Sequence, residues 1–116
     1  MGTKATRARK LHLLRFIESD DFANWVIRIS QKSLTMGTQH FAEVSLDERL
    51  ITINPHKTMT QFVESVVHEL LHVLYPKSRE ATILKWEQAV ISDMSPSEIS
   101  KLLAVLFSKQ RVVWDE

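Results

Sequence analysis

The segment SVVHELLHVLYPKSRE, residues Ser65–Glu80, decides the fold because polar and apolar side chains alternate along it at helical spacing. With about 100° of rotation per residue, His68, Glu69 and His72 fall within one polar arc of a helix. The opposite arc is apolar and should pack into a core. Its members are Phe62, Val63, Val66, Val67, Leu70, Val73 and Leu74. The segment therefore predicts a half-buried helix with three reactive side chains along its polar edge.

The polar arc contains the pattern His-Glu-x-x-His, for which a solvated helix face is the simplest alternative explanation. In a chain of this composition, roughly 0.016 copies of the pattern are expected by chance. A solvated face would accept lysine equally well, yet no lysine or arginine occurs between Phe62 and Tyr75. These two observations favour a chemical role for the arc.

Histidines spaced by four residues project side by side from a helix, so their ring nitrogens can converge on one zinc ion. Glu69, next to the first histidine, could take a proton from a zinc-activated water and pass it to a leaving amine. A catalytic zinc normally has three protein ligands and one open position. A third ligand is therefore expected beside His68 and His72.

The third ligand must come from elsewhere in the chain, because no histidine follows His72. Glu80 is the first acidic residue after Pro76, and side-chain reach across a short turn favours it. Glu87 lies seven residues further on, two turns along the same helix face, and is the alternative. Three weaker candidates are Asp93, His40 and His56.

The rest of the sequence predicts further helices and strands around this segment. Apolar spacing indicates a first helix over about Ala5 to Ser19. Alternating β-branched and aromatic residues indicate three strands, at Trp25–Ile29, Phe41–Leu46 and Leu50–Ile53. The short sequence Asp47-Glu48-Arg49 should join the second and third strands as an antiparallel hairpin.

Start and stop signals divide the second half of the chain into three helices. Thr58 with Gln61 has the form of a capping box, and Pro76 should end that helix near Tyr75. Ser78 could cap a second helix over about Arg79 to Ile91. Ser95-Pro96 should start a last helix that reaches about Lys109. The predicted order αβββααα describes a single α+β domain, residues 1–116, with a small three-stranded antiparallel or mixed sheet packed on the His-Glu-x-x-His helix.

Composition excludes several classes of function. The chain has 116 residues and no cysteine, so disulfide frameworks and thiolate metal sites are excluded. A formal charge of +1 argues against wholesale binding of nucleic acid or anionic membranes. No apolar stretch approaches the roughly 20 residues of a membrane span. These features lead us to expect a cytoplasmic protein.

HELLH in an apolar helix, after the strand LITIN and before a turn and a helix with an early glutamate, resembles the zincin metallopeptidases. The similarity is greatest to the gluzincins, in which a glutamate on a downstream helix completes the zinc site. The chain has Tyr75 and Ser78 where the metzincin extension requires glycine and histidine. The resemblance implies a peptidase with one catalytic Zn²⁺ at His68, His72 and Glu80, Glu69 as general base, and a peptide or protein as substrate.

Three further expectations concern the surroundings of the site. The resemblance implies that the strand Leu50–Asn54 could pair with an extended substrate. Tyr75 is a candidate for stabilising an oxyanion. The tail Arg111–Glu116 could place a carboxylate on the metal and inhibit the enzyme, although a C-terminal strand or a packed tryptophan is the commoner role of such a segment.

The competing hypothesis is a non-catalytic zincin-like domain that binds a protein or a nucleic acid. The basic run Lys4–Lys10 would suit a nucleic-acid arm, although a solvated terminus explains so short a run equally well.

Overall fold

The computed structural model describes residues 3–30, 42–53, 58–108 and 112–115 and has a mixed α+β fold. In chain order the elements are α1 (Lys4–Ile17), α2 (Asp20–Ala23), β1 (Val26–Ser30), β2 (Ala42–Ser45), β3 (Leu50–Ile53), α3 (Met59–Leu74), α4 (Glu80–Asp93), α5 (Pro96–Phe107) and β4 (Val112–Asp115). None of these helices is both long and apolar enough to cross a membrane.

Within the described part of the chain the sheet has four strands in the order β2-β3-β1-β4, so the prediction of three strands was wrong. The fourth strand, β4, lies near the end of the chain and pairs in parallel with β1. Strand β1 also pairs in parallel with β3, while β2 and β3 are antiparallel. The sheet is therefore mixed, and β3 is an interior strand. The place of β4 in the sheet was not predicted, because its partner β1 lies more than 80 residues earlier in the chain.

The predicted hairpin between β2 and β3 is confirmed. A turn over residues 46–49 connects the strands, and the Arg49 N–H donates to the Leu46 carbonyl at 3.3 Å. Arg49 has a positive φ of 52°, a conformation that glycine or asparagine adopts more easily. The tight turn therefore forms without the Asn-Gly or Asp-Gly sequence that usually signals it.

The core lies between one face of the sheet and the helices. Ile27, Ile51 and Ile53 are fully buried on the sheet, and α3 packs against β2 and β3. The apolar arc of α3 supplies the opposing layer through Val66, Val67 and Leu70, which are fully buried, as is the neighbouring Leu71. Burial of this arc fixes the rotation of α3, so its polar arc turns towards α4.

Most of the predicted helix boundaries are confirmed, but one N-cap residue differs and one short helix was not predicted. The Thr58 hydroxyl accepts the Gln61 N–H at 3.2 Å, and Ser95 forms a complete capping box. The N-cap of α4 is Arg79 instead of Ser78, and no side chain caps that helix. The Ser78 N–H donates to the Tyr75 carbonyl at 3.0 Å, which closes the turn between α3 and α4. The four-residue α2 was not predicted either.

Helix α1 is held to the ends of α4 and α5 by a lysine. The Lys10 ammonium lies 3.0 Å from a carboxylate oxygen of Asp93 and 3.2 Å from one of Glu98. Asp93 thus lies in a structural ion pair, in contrast to its predicted place among the weaker candidate ligands. These ion pairs hold α1 against the end of α4 and the start of α5.

Candidate metal centre

Helices α3 and α4 bring together the three residues that the sequence predicted as metal ligands. The carboxylate of Glu80, in the first turn of α4, lies 2.6 Å from His72 Nε2 and 3.0 Å from His68 Nε2. The two imidazole rings stand 4.9 Å apart between centroids. One donor atom from each of these residues can be chosen so that all three lie within 4.8 Å of one another.

This convergence depends on the short connection between the helices. Helix α3 ends at Leu74, before Pro76, and α4 begins at Glu80 after a closed turn. The chain therefore reverses within five residues and places the first turn of α4 beside the last turns of α3. Glu80 is consequently the acidic residue that reaches both histidines, in agreement with the preferred third ligand.

Glu87, the alternative third ligand, does not lie beside Nε2 of the two histidines, where Glu80 lies. Its Oε1 accepts a hydrogen bond of 2.7 Å from His68 Nδ1, on the side of the ring away from Glu80. The Glu87 side chain is buried, whereas that of Glu80 is about half exposed. A carboxylate on Nδ1 fixes the tautomer and orientation of an imidazole and turns Nε2 towards the ligand position.

The charges of these groups depend strongly on each other. Burial lowers the pKa of His68, but hydrogen bonds to Glu87 and Glu80 outweigh it and raise this pKa to about 9. Burial raises the pKa of Glu80, and this effect is outweighed by hydrogen bonds from His72 and His68, which lower it. Below that pKa the imidazolium form is favoured, in which Nδ1 donates to Glu87 and Nε2 donates to Glu80. A metal ion bound at Nε2 would have to displace that proton.

We expect the metal-free protein to lose stability as the pH rises from 6.5 to 9. An unfolded His68 has the ordinary pKa of 6.5, and the folded value is about 9. Its stabilising effect is therefore complete below pH 6.5 and disappears as the pH passes the folded pKa. The expected loss is on the order of 1 to 3 kcal/mol after allowing for the exposure of Glu80. Urea unfolding in chelator-treated buffers at pH 6 and pH 9.5 measures it.

The matched variant for that measurement is Glu87→Gln, which removes the strongest contact that raises the pKa of His68. The stability of this variant should depend less on pH over the same interval. Equal stability of the unaltered protein at both pH values would contradict the assigned charge state.

Glu69, the predicted general base, is buried beside the histidine pair. Its residue exposure is 5%, and its charge contributes to raising the pKa of His68. It does not belong to the group of three converging donor atoms formed by His68, His72 and Glu80. The structure therefore places the Glu69 carboxylate close to the histidine pair but outside the three converging donor groups.

Tyr75 occupies a different environment from that of an oxyanion-stabilising residue. Its hydroxyl is hydrogen-bonded to Nδ1 of His12 on α1 at 2.9 Å, and its ring packs edge-on against Trp86 of α4. Burial raises the pKa of the Tyr75 hydroxyl above its usual value. The prediction missed this contact because nothing in the local sequence shows that α1 crosses the end of α3.

Of the other sequence candidates, two cannot be placed and one can be placed in part. His40 and His56 lie outside the described residues. Strand β4, residues Val112–Asp115 of the proposed inhibitory tail, pairs with β1 and is the last strand in the order of the described sheet. The prediction that the strand Leu50–Asn54 pairs with a substrate is wrong. Both edges of β3 are already paired, with β2 and with β1.

Comparison with protein-family models, with curated protein sequences and with solved structures found no match to this chain.

Proposed function

We propose that this chain is a small zincin-like metallopeptidase that cleaves peptide bonds with one zinc ion. The observation that carries the proposal is the approach of one Glu80 carboxylate to Nε2 of both His68 and His72, at 3.0 and 2.6 Å. Helix α4 supplies the carboxylate and α3 supplies the histidine pair. Burial of the apolar arc of α3 fixes the rotation of α3, so that the two histidines face α4. A solvated helix face would not require such a convergence.

The donor set fits zinc. Two imidazole nitrogens and one carboxylate form a common catalytic ligand set for Zn²⁺, whereas calcium and magnesium prefer oxygen donors alone. Tetrahedral bonds of about 2.0 to 2.1 Å place donor atoms roughly 3.4 Å apart. The separations of 2.6 and 3.0 Å between Glu80 and the two histidines are shorter than that value, so Glu80 would move outward to admit the ion. When bound, zinc supplies a Lewis acid that lowers the pKa of water and polarises a carbonyl group.

The chain's own residues would then perform the proton transfers and the orientation. Glu69 accepts a proton from the attacking water and delivers it to the nitrogen of the departing amine. Glu87 keeps the His68 ring turned so that Nε2 faces Glu80, through the 2.7 Å bond to Nδ1. Proton transfer and metal positioning are thus assigned to two different buried glutamates.

The substrate strand would pair with β2, since β3 is interior. Strand β2 pairs with β3 on one side, and no described residue pairs with its other side. Helix α3, which carries the histidines, packs directly against β2. An extended peptide added to this edge of β2 would gain main-chain hydrogen bonds and would lie along α3.

The test is the dependence of peptide cleavage on zinc. The purified protein is treated with a chelator, divided, and reloaded with one equivalent of Zn²⁺ or of Mg²⁺. We expect the zinc-loaded sample to cleave a mixture of fluorescence-quenched peptides and the chelated and magnesium-loaded samples to be inactive. Failure to bind zinc, or equal cleavage by chelated and zinc-loaded protein, would overturn the proposal.

A further inference from the structure

An aromatic cluster joins α1 to both helices of the metal centre. It consists of Arg9, His12, Tyr75 and Trp86. The His12 and Tyr75 rings meet edge-on at 5.5 Å between centroids, in addition to their hydrogen bond of 2.9 Å. Tyr75 and Trp86 meet edge-on at 5.3 Å, and the Arg9 guanidinium lies 4.0 Å from the centre of the Trp86 ring. Such contacts each contribute favourably when partly shielded from water.

Tyr75 is the residue through which this cluster can act on the metal centre. Its backbone N–H donates to the Leu71 carbonyl at 2.8 Å and ends α3, three residues after His72. Its carbonyl accepts the Ser78 N–H at 3.0 Å and closes the turn that leads to Glu80. The same residue therefore ends the histidine helix and starts the turn that positions the glutamate.

The cluster holds the side chain of Tyr75 from two sides. His12 on α1 binds its hydroxyl, and Trp86 on α4 contacts its ring. Trp86 is the residue before Glu87, whose carboxylate holds the His68 ring. A movement of Tyr75 would therefore shift the start of α4 relative to the end of α3, and with it both glutamates. Sub-ångström shifts of ligands are enough to weaken a metal site.

We propose that Tyr75 is a positioning residue of the metal centre, fixed by His12 and Trp86, and that α1 is consequently a functional part of the site. The inference rests on the proposed function, since it assigns Tyr75 a role in zinc binding. Tyr75 would thus hold the metal ligands in position, and its hydroxyl would not stabilise an oxyanion. Removing the ring should loosen the site even where the fold remains intact.

The experiment compares Tyr75→Leu, Tyr75→Phe and His12→Leu with the unaltered protein. Zinc affinity is measured by competition with a chromophoric chelator, and Co²⁺ substitution gives a visible absorption spectrum that reports ligand geometry. We expect Tyr75→Leu to weaken zinc binding about 10- to 100-fold and to alter the Co²⁺ spectrum. Tyr75→Phe keeps the ring contacts and should restore affinity to within about threefold, while His12→Leu should lie between them.

The matched control is Phe107→Leu, which removes a half-exposed ring that stacks on Phe62 of α3 at 5.8 Å. Its zinc affinity and Co²⁺ spectrum should be unchanged, because neither Phe107 nor its partner forms part of the turn to α4. Measurements are made at a temperature where circular dichroism shows every variant fully folded. If Tyr75→Leu does not fold, His12→Leu decides the test, since His12 is exposed on α1.

The outcomes separate this inference from the proposed function. An unaltered protein that binds no zinc overturns both. If the unaltered protein binds zinc and the folded Tyr75→Leu and His12→Leu variants match it in affinity and spectrum, the positioning role is wrong and the proposed function stands. An equal loss of affinity in Phe107→Leu would show a general loss of stability and would also overturn the positioning role.

Discussion

Replacing Glu69 with glutamine is expected to abolish peptide cleavage and to leave zinc binding unchanged. Glutamine keeps the shape of the side chain but cannot accept the proton of the attacking water at neutral pH. The loss of a general base typically lowers the rate about 10²- to 10⁴-fold. Zinc content should be retained because Glu69 does not belong to the converging group formed by His68, His72 and Glu80.

The measurement pairs turnover of a quenched peptide with zinc analysis of the same preparation. Glu64→Gln is the matched control, since Glu64 is an exposed glutamate on the same helix. That variant should cleave at the unaltered rate. Cleavage by Glu69→Gln at the unaltered rate would remove Glu69 as the base, and loss of its zinc would assign it to the metal site instead.

Removing Glu80 should weaken zinc binding more than removing Glu87. If a binding free energy of about 10 to 16 kcal/mol is shared among the ligands of a zinc site, loss of one ligand costs affinity on the order of 10³-fold. A carboxylate that only orients a ligand typically contributes about 10- to 100-fold. The contacts assign Glu80 to the first role and Glu87 to the second.

Titration calorimetry with Zn²⁺ on Glu80→Ala, Glu87→Ala and Gln88→Ala tests this order. Gln88 is exposed on the same helix and serves as the control. Glu80 also lies in the first turn of α4, where a negative charge favours the helix by about 0.3 to 1 kcal/mol. The titrations should therefore be run well below the unfolding temperature of each variant. A larger loss of affinity in Glu87→Ala would reverse the two assignments.

The local parts of the site could be predicted from the sequence because each depends on neighbouring residues. The spacing of His68 and His72, the Thr58 cap and the Pro76 stop all act within one or two helical turns. The nearness of Glu80 followed from the length of the turn. The alternation of β2 and β3 was also a local signal, and their hairpin is confirmed.

The remaining features depend on contacts between distant parts of the chain. Strand β4 joins β1 across more than 80 residues, so no local pattern indicated that the tail pairs with this sheet or that β3 is an interior strand. The position of Glu87 on His68 requires the rotation of α4, which the packing of Ile83 and Val90 into the core determines. The contact between His12 and Tyr75 requires α1 to cross the end of α3. Tertiary packing determines these arrangements, and short-range sequence signals do not encode them.

Anomalous diffraction at the zinc absorption edge, from crystals of the zinc-loaded protein, can decide whether α3 and α4 form a single zinc site. We expect one strong peak about 2.0 to 2.1 Å from Nε2 of His68, Nε2 of His72 and a carboxylate oxygen of Glu80, with Glu87 still on His68 Nδ1. A fully loaded crystal with no peak between these three residues, or with its zinc bound to Glu87 in place of Glu80, would rule out the proposed site.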